Sequence, residues 1–143
     1  MRLTLAPPVI RRGSKIKPKK KFIRLNLNSY RNNNHFKNAS DKIKYEDFMR
    51  PFILEAFADQ VIIPPIKIQY SLVVGTKRKL DIANILTIVD KFFCDTLVKC
   101  EIIEDDNFDY IQEIVYKYGG YQKNDEKILI EVSFNNTPGV NHE

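Results

Sequence analysis

Apolar residues follow two different periods along this chain. Phe22 to Leu27 alternates, with Ile23, Leu25 and Leu27 on one face, which predicts a short strand. Asn28 to Asn34 is rich in amides and reads as a loop. Ser40 and Asp41 then resemble a helix N-cap pair. From about 41 to 59 the apolar positions Ile43, Phe48, Phe52, Ile53, Ala56 and Phe57 approach helical spacing, and Pro51 predicts a kink or break. Ile66 to Val74 alternates as a strand. A second helix is predicted from Asp81, itself a potential N-cap. Ile82, Ile85, Leu86, Val89, Phe92, Phe93 and Leu97 share one arc of it, and Asn84, Lys91 and Asp95 another. Ile111 to Tyr118 and Ile128 to Phe134 complete the strands, separated by an expected turn at Gly119 and Gly120. The order strand, helix, strand, helix, strand, strand predicts a mixed α/β (α+β) domain. Its one sheet has about four strands, with two main helices on one face.

The length of 143 residues fits one domain. No stretch approaches the roughly 20 apolar residues of a membrane span, and the basic N-terminus lacks a secretory h-region. Cys94 and Cys100 have no metal-like spacing and are poorly placed to pair, which suits reduced thiols in a cytoplasm. The two histidines, His35 and His142, do not support a zinc site. Charge distribution changes the picture more. Residues 1–40 hold eleven Lys or Arg and no acid, while residues 41–143 hold twelve basic residues against eighteen acidic ones. So one-sided a block is a candidate polyanion-binding arm, or else a solvated tail. Residues 1–20 are expected to be this arm, without regular structure toward its C-terminal half, and residues 21–143 the folded domain.

The candidate chemistry brackets the second helix, with Asp81 at its start and Asp105 and Asp106 beyond its end. Converging carboxylates in a basic protein would suit Mg²⁺, a hard cation able to activate water for phosphodiester hydrolysis. Convergence requires the following chain to turn back along the sheet. Otherwise Asp81 is only a cap, and Asp105-Asp106-Asn107 only a turn. Lys77-Arg78-Lys79 forms a short basic loop just before the helix, placed to hold phosphates.

The run Lys79-Leu80-Asp81-Ile82-Ala83-Asn84, then Lys91 and Asp95, then Glu104-Asp105-Asp106, resembles the RusA-like Holliday-junction resolvases. The pattern of that family is Asp-x-Asp-Asn, Lys, Asp-x-Leu and a late Asp-Asp. Leu27 to Asn32 followed by His35 is similar to the entry loop of phage-borne members. The resemblance covers roughly residues 22–134. It implies a homodimer that cleaves four-way DNA junctions with Mg²⁺, or Mn²⁺ in its place, and needs no other small-molecule cofactor. It also implies a role in DNA recombination and repair in the cytoplasm of a bacterial or phage-infected cell. Asp81 and Asp105 or Asp106 match metal ligands, Asn84 the motif Asn, and Lys91 the catalytic Lys that would stabilise phosphate charge.

Two departures stand out: Ala83 replaces the second motif Asp, and the gap from Asn84 to Lys91 is about four residues longer than usual, near one helical turn. Asp90 is the candidate replacement ligand, although on an unbroken helix it lies about 180° around from Asp81. The catalytic set is thus Asp81, Asp90, Lys91 and Asp106, and the metal set Asp81, Asp90, Asp105 and Asp106. Each has a plainer reading: Lys91 as a solvated helix lysine, Asp90 as a boundary residue paired with a lysine, and Asp95 as a structural partner. The expected DNA contacts are Arg24, Tyr30, Arg31, His35, Lys37, Lys77, Arg78 and Lys79, with packing or exposure equally open for Tyr30 and His35. Ala83 motivates a second expectation, a catalytically silent branched-DNA-binding protein or regulator on the same fold. The basic arm alone motivates a third, an RNA-binding or ribosome-associated protein.

Overall fold

The computed structural model describes residues 2–5, 31 and 35–135. The elements run β1 (Arg2–Leu5), α1 (His35–Phe57), β2 (Ile63–Val74), α2 (Ile82–Lys99), β3 (Ile111–Tyr121) and β4 (Lys127–Asn135). They form one four-stranded sheet in the order β1-β4-β2-β3. β4 runs antiparallel to both β1 and β2, whereas β2 and β3 are parallel and joined through α2. A parallel pair requires such a crossover. This is the mixed class that the patterning predicts.

The sheet has one apolar face because β2 and β4 alternate. Ile66, Ile68, Tyr70 and Leu72 of β2 sit beside Ile128, Ile130 and Val132 of β4, and most of them are buried. The same alternation turns Lys67, Gln69, Glu131 and Ser133 to the outer face. Both helices cover the inner face. α1 contributes Met49, Ile53 and Phe57, and α2 contributes Ile85, Leu86, Val89, Phe92, Phe93 and Leu97. The Tyr70 and Phe93 rings meet edge to face, with centroids 6.0 Å apart.

Four expectations change. Arg2–Leu5 is a strand paired with β4, and Leu5 is buried, so the fold draws on residues inside the expected arm rather than starting at residue 21. The strand expected at 22–27 lies outside the described residues. Asp41 does not cap α1: it lies inside the helix and pairs with Lys37 one turn earlier, at 2.8 Å. Pro51 does not break α1, because it sits on the exposed side, where the Asp47 carbonyl that loses its donor can face water. Gly119 and Gly120 lie inside β3 rather than in a turn. A Cβ on Gly119 would come within 3.1 Å of Val73 Cγ2 and 3.2 Å of the Leu72 carbonyl oxygen, and Gly120 has φ +102°. The pair lets β3 stay against β2 where the register shifts between Leu72 and Val74.

Candidate nucleic-acid interface

The N-terminal end of α2 is built from the chain that leaves β2. Asp81, in extended backbone, caps the helix, its Oδ1 accepting from the backbone N–H of Ala83 (3.1 Å) and Asn84 (3.4 Å). A carboxylate there also complements the helix dipole. Its Oδ2 has no hydrogen-bond partner among the described residues. Lys77, Arg78 and Lys79 precede it, all exposed and with no ion pair among the described residues. The far end of β3 is tied to this loop, as Gln122 N–H donates to the Val74 carbonyl and Asn124 N–H to the Gly75 carbonyl, each at 2.9 Å. The end therefore also carries Tyr118 (61% exposed), Tyr121 (40%) and the exposed Lys117 and Lys123. Cations interleaved with exposed rings suit a nucleic-acid strand. Sequence reasoning missed Tyr118 and Tyr121 because the glycine pair was read as a turn. The usable signal was the Tyr-Lys-Tyr run itself.

Asp90 lies on the sheet-facing side of α2. Its Oδ1 accepts from the Tyr70 hydroxyl (2.6 Å) and the Cys94 thiol (3.2 Å), and its Oδ2 from the Tyr116 hydroxyl (3.1 Å). Both oxygens are thus engaged in clasping α2 to β2 and β3. Burial, then the Asp90 charge, pushes the Tyr116 hydroxyl up to about 12 and raises the Cys94 thiol well above its ordinary value. Lys91, the next residue, is exposed and has no ion pair among the described residues.

The C-terminal end of α2 is a closed ionic network. Lys42 of α1 reaches Asp95 at 3.0 Å and Glu46 Oε1 at 4.0 Å, and Lys99 reaches Glu46 Oε2 at 2.9 Å. Glu46 is buried, and its Oε1 makes no hydrogen bond. Beyond the helix, Asp105 folds onto its own turn, with Oδ1 accepting from Asp106 N–H and Oδ2 from the Asn107 side-chain amide. Burial, the Asp105 hydrogen bond and the charge of Asp95 raise the Asp106 carboxyl above its ordinary value. A depression here is lined by Ile62, Pro64, Val98 and Tyr110, with Glu101 and Glu104, the wrong charge for a polyanion.

The expected convergence of Asp81 with Asp105 and Asp106 does not occur in the chain. Ile66 N–H donates to the Tyr110 carbonyl at 2.7 Å, which fixes the acidic turn at the start of β2, whereas Asp81 follows its end. Asp81 and Asp95 alone stand about 20 Å apart along α2. No group of three or more His, Cys, Asp or Glu among the described residues could hold a metal. With Asp90 occupied as well, the described residues do not fit the Mg²⁺ or Mn²⁺ site that the resemblance implies. The side chain of Asn84 is half-buried at the N-terminal end. Of the other expected contacts, Lys37 is held by Asp41, Arg31 is exposed, and His35 opens α1. Arg24 and Tyr30 lie outside the described residues. No helix among the described residues is long and apolar enough to cross a membrane. No family model matches the chain, and no curated protein matches it.

Proposed function

We propose that the protein binds branched DNA, after the pattern of the RusA-like junction resolvases, through the N-terminal end of α2. The observation that carries this reading is the exposed Lys77-Arg78-Lys79 loop, without an ion pair among the described residues, held beside exposed Tyr118 and Tyr121. The three cations would hold consecutive phosphates, and the tyrosines would stack on bases unpaired at a branch point. Recognition is then by shape and backbone rather than by base edges. The ordered Asp81, Asn84, Lys91 and Asp105-Asp106 pattern supports the choice of DNA junctions over other polyanions.

Junction cleavage is a second reading, favoured by Oδ2 of Asp81, which has no partner among the described residues and lies next to the cationic loop. One experiment separates the two. A labelled four-way junction and linear duplex of the same sequence are incubated with the protein, with Mg²⁺ or with EDTA. Tight, salt-sensitive binding that prefers the junction, without nicking, is the expected result. Symmetric Mg²⁺-dependent nicking that Asp81→Asn abolishes while binding persists would establish the cleaving enzyme instead. Equal affinity for junction and duplex would overturn both.

A further inference from the structure

Beyond the ionic network that closes the C-terminal end of α2, the surface opens into a groove of about 490 Å³. Its walls are apolar, from Ile62, Pro64, Val98, Ile102 and Ile103, and Glu101 and Glu104 stand at it as carboxylates. Tyr110 lines it too, its hydroxyl donating to Glu104 Oε2 at 2.9 Å. A concavity of this size can bury side chains of a ligand. The turn around it is one-sided in charge. Glu101 to Asp109 holds five acids, all exposed, and no basic residue. None of the five forms an ion pair among the described residues. Lys99, just before the turn, is engaged with Glu46, and Lys67, next to the Ile66 that bonds Tyr110, lies by Glu113. The C-terminal end of the α2 dipole adds partial negative charge.

Glu101 holds a position that suits another residue. Its N–H donates to the Val98 carbonyl at 3.0 Å, and Ile102 N–H donates to the Leu97 carbonyl at 2.9 Å, which ends α2 in a Schellman motif. The turning residue of that motif takes the left-handed conformation, and Glu101 has φ +60°. Glycine adopts it most easily. What glutamate adds there is a carboxylate at the groove.

We propose that the groove binds a basic segment of a partner protein, rich in arginine or lysine, with one apolar side chain between the cations. Charge complementarity selects this occupant. The carboxylates repel nucleic acid and acidic peptides, and the apolar walls gain nothing from a bare polycation. The apolar side chain enters between Glu101 and Glu104, and the flanking cations meet the carboxylates. The groove follows the C-terminal end of α2, whereas the Lys77-Arg78-Lys79 loop precedes its N-terminal end, so a partner here leaves Tyr118 and Tyr121 open to nucleic acid. The inference stands independently of the nucleic-acid reading.

The test uses the full chain and a labelled peptide, Arg-Lys-Arg-Leu-Arg-Lys-Arg, with binding read by fluorescence anisotropy. The parent is expected to bind it, and to bind the same peptide with Ser in place of Leu about tenfold more weakly. Glu101→Gly/Glu104→Gln should also weaken binding of the Leu peptide about tenfold. Its melting temperature should stay at or above the parent's, because glycine fits the left-handed position and glutamine still accepts from Tyr110. A parent that leaves the Leu peptide free would overturn the proposal, whether the groove stays empty or already holds a basic segment of this chain. Equal affinity for the Leu and Ser peptides, or a folded variant that binds as the parent does, would overturn it as well.

Discussion

The two ends of α2 carry charges of similar number but opposite employment. At the C-terminal end, Lys42, Glu46, Asp95 and Lys99 are engaged with one another and hold α1 against α2. At the N-terminal end, Lys77, Arg78, Lys79 and one oxygen of Asp81 have no partner among the described residues. Charges that satisfy each other inside the fold set stability, and charges left open on a rigid element are available to a ligand. The difference teaches that an acidic residue near a motif cannot be given a role until its partners are known.

The comparison is broken first where the expected effect is largest. Replacing Lys77, Arg78 and Lys79 together by Ala should lower junction affinity about 100-fold near 0.1 M salt and reduce the salt slope by about 3. Thermal stability should not move. A titration at several salt concentrations beside a melting curve reads both. Lys42→Ala should do the reverse. It strands Asp95, leaves the buried Glu46 with Lys99 alone, and is expected to cost about 1–3 kcal/mol in urea unfolding, with junction affinity unchanged.

Asp90→Asn probes the middle of the helix. The amide cannot accept as a carboxylate from Tyr70, Cys94 and Tyr116, so a loss of about 1.5–3 kcal/mol is expected in the same unfolding assay. A variant as stable as the parent would return Asp90 to the list of ligand-binding groups. Asp81 separates a cap from a charge with the smallest effect: Asp81→Ala should cost about 1 kcal/mol, and Asp81→Asn only a few tenths, because both carboxylate and amide oxygens cap.

Much of the fold was legible because it rests on local periodicity. The start of α2 followed from Asp81 ahead of an amphipathic run, and β2 and β4 from alternation. What escaped was tertiary. Arg2–Leu5 is too short to announce itself, and only its pairing with β4 makes it a strand. Gly119 and Gly120 carry the composition of a turn, but Gly119 lies close against Leu72 and Val73 and Gly120 takes a positive φ, both within β3. For the site, spacing showed that two acidic features flank α2. It could not show that β3 starts where α2 ends, which leaves the Asp105-Asp106 turn at the far end from Asp81. Asp90 looked like a spare ligand because its three donors come from β2, β3 and α2 itself.

The most direct test of the central claim is equilibrium binding of a labelled four-way junction to the parent and to the Lys77→Ala/Arg78→Ala/Lys79→Ala variant, with duplex as competitor. The account predicts that the parent prefers the junction and that the variant loses about 100-fold in affinity while remaining folded. A folded variant that binds the junction as tightly as the parent would contradict it.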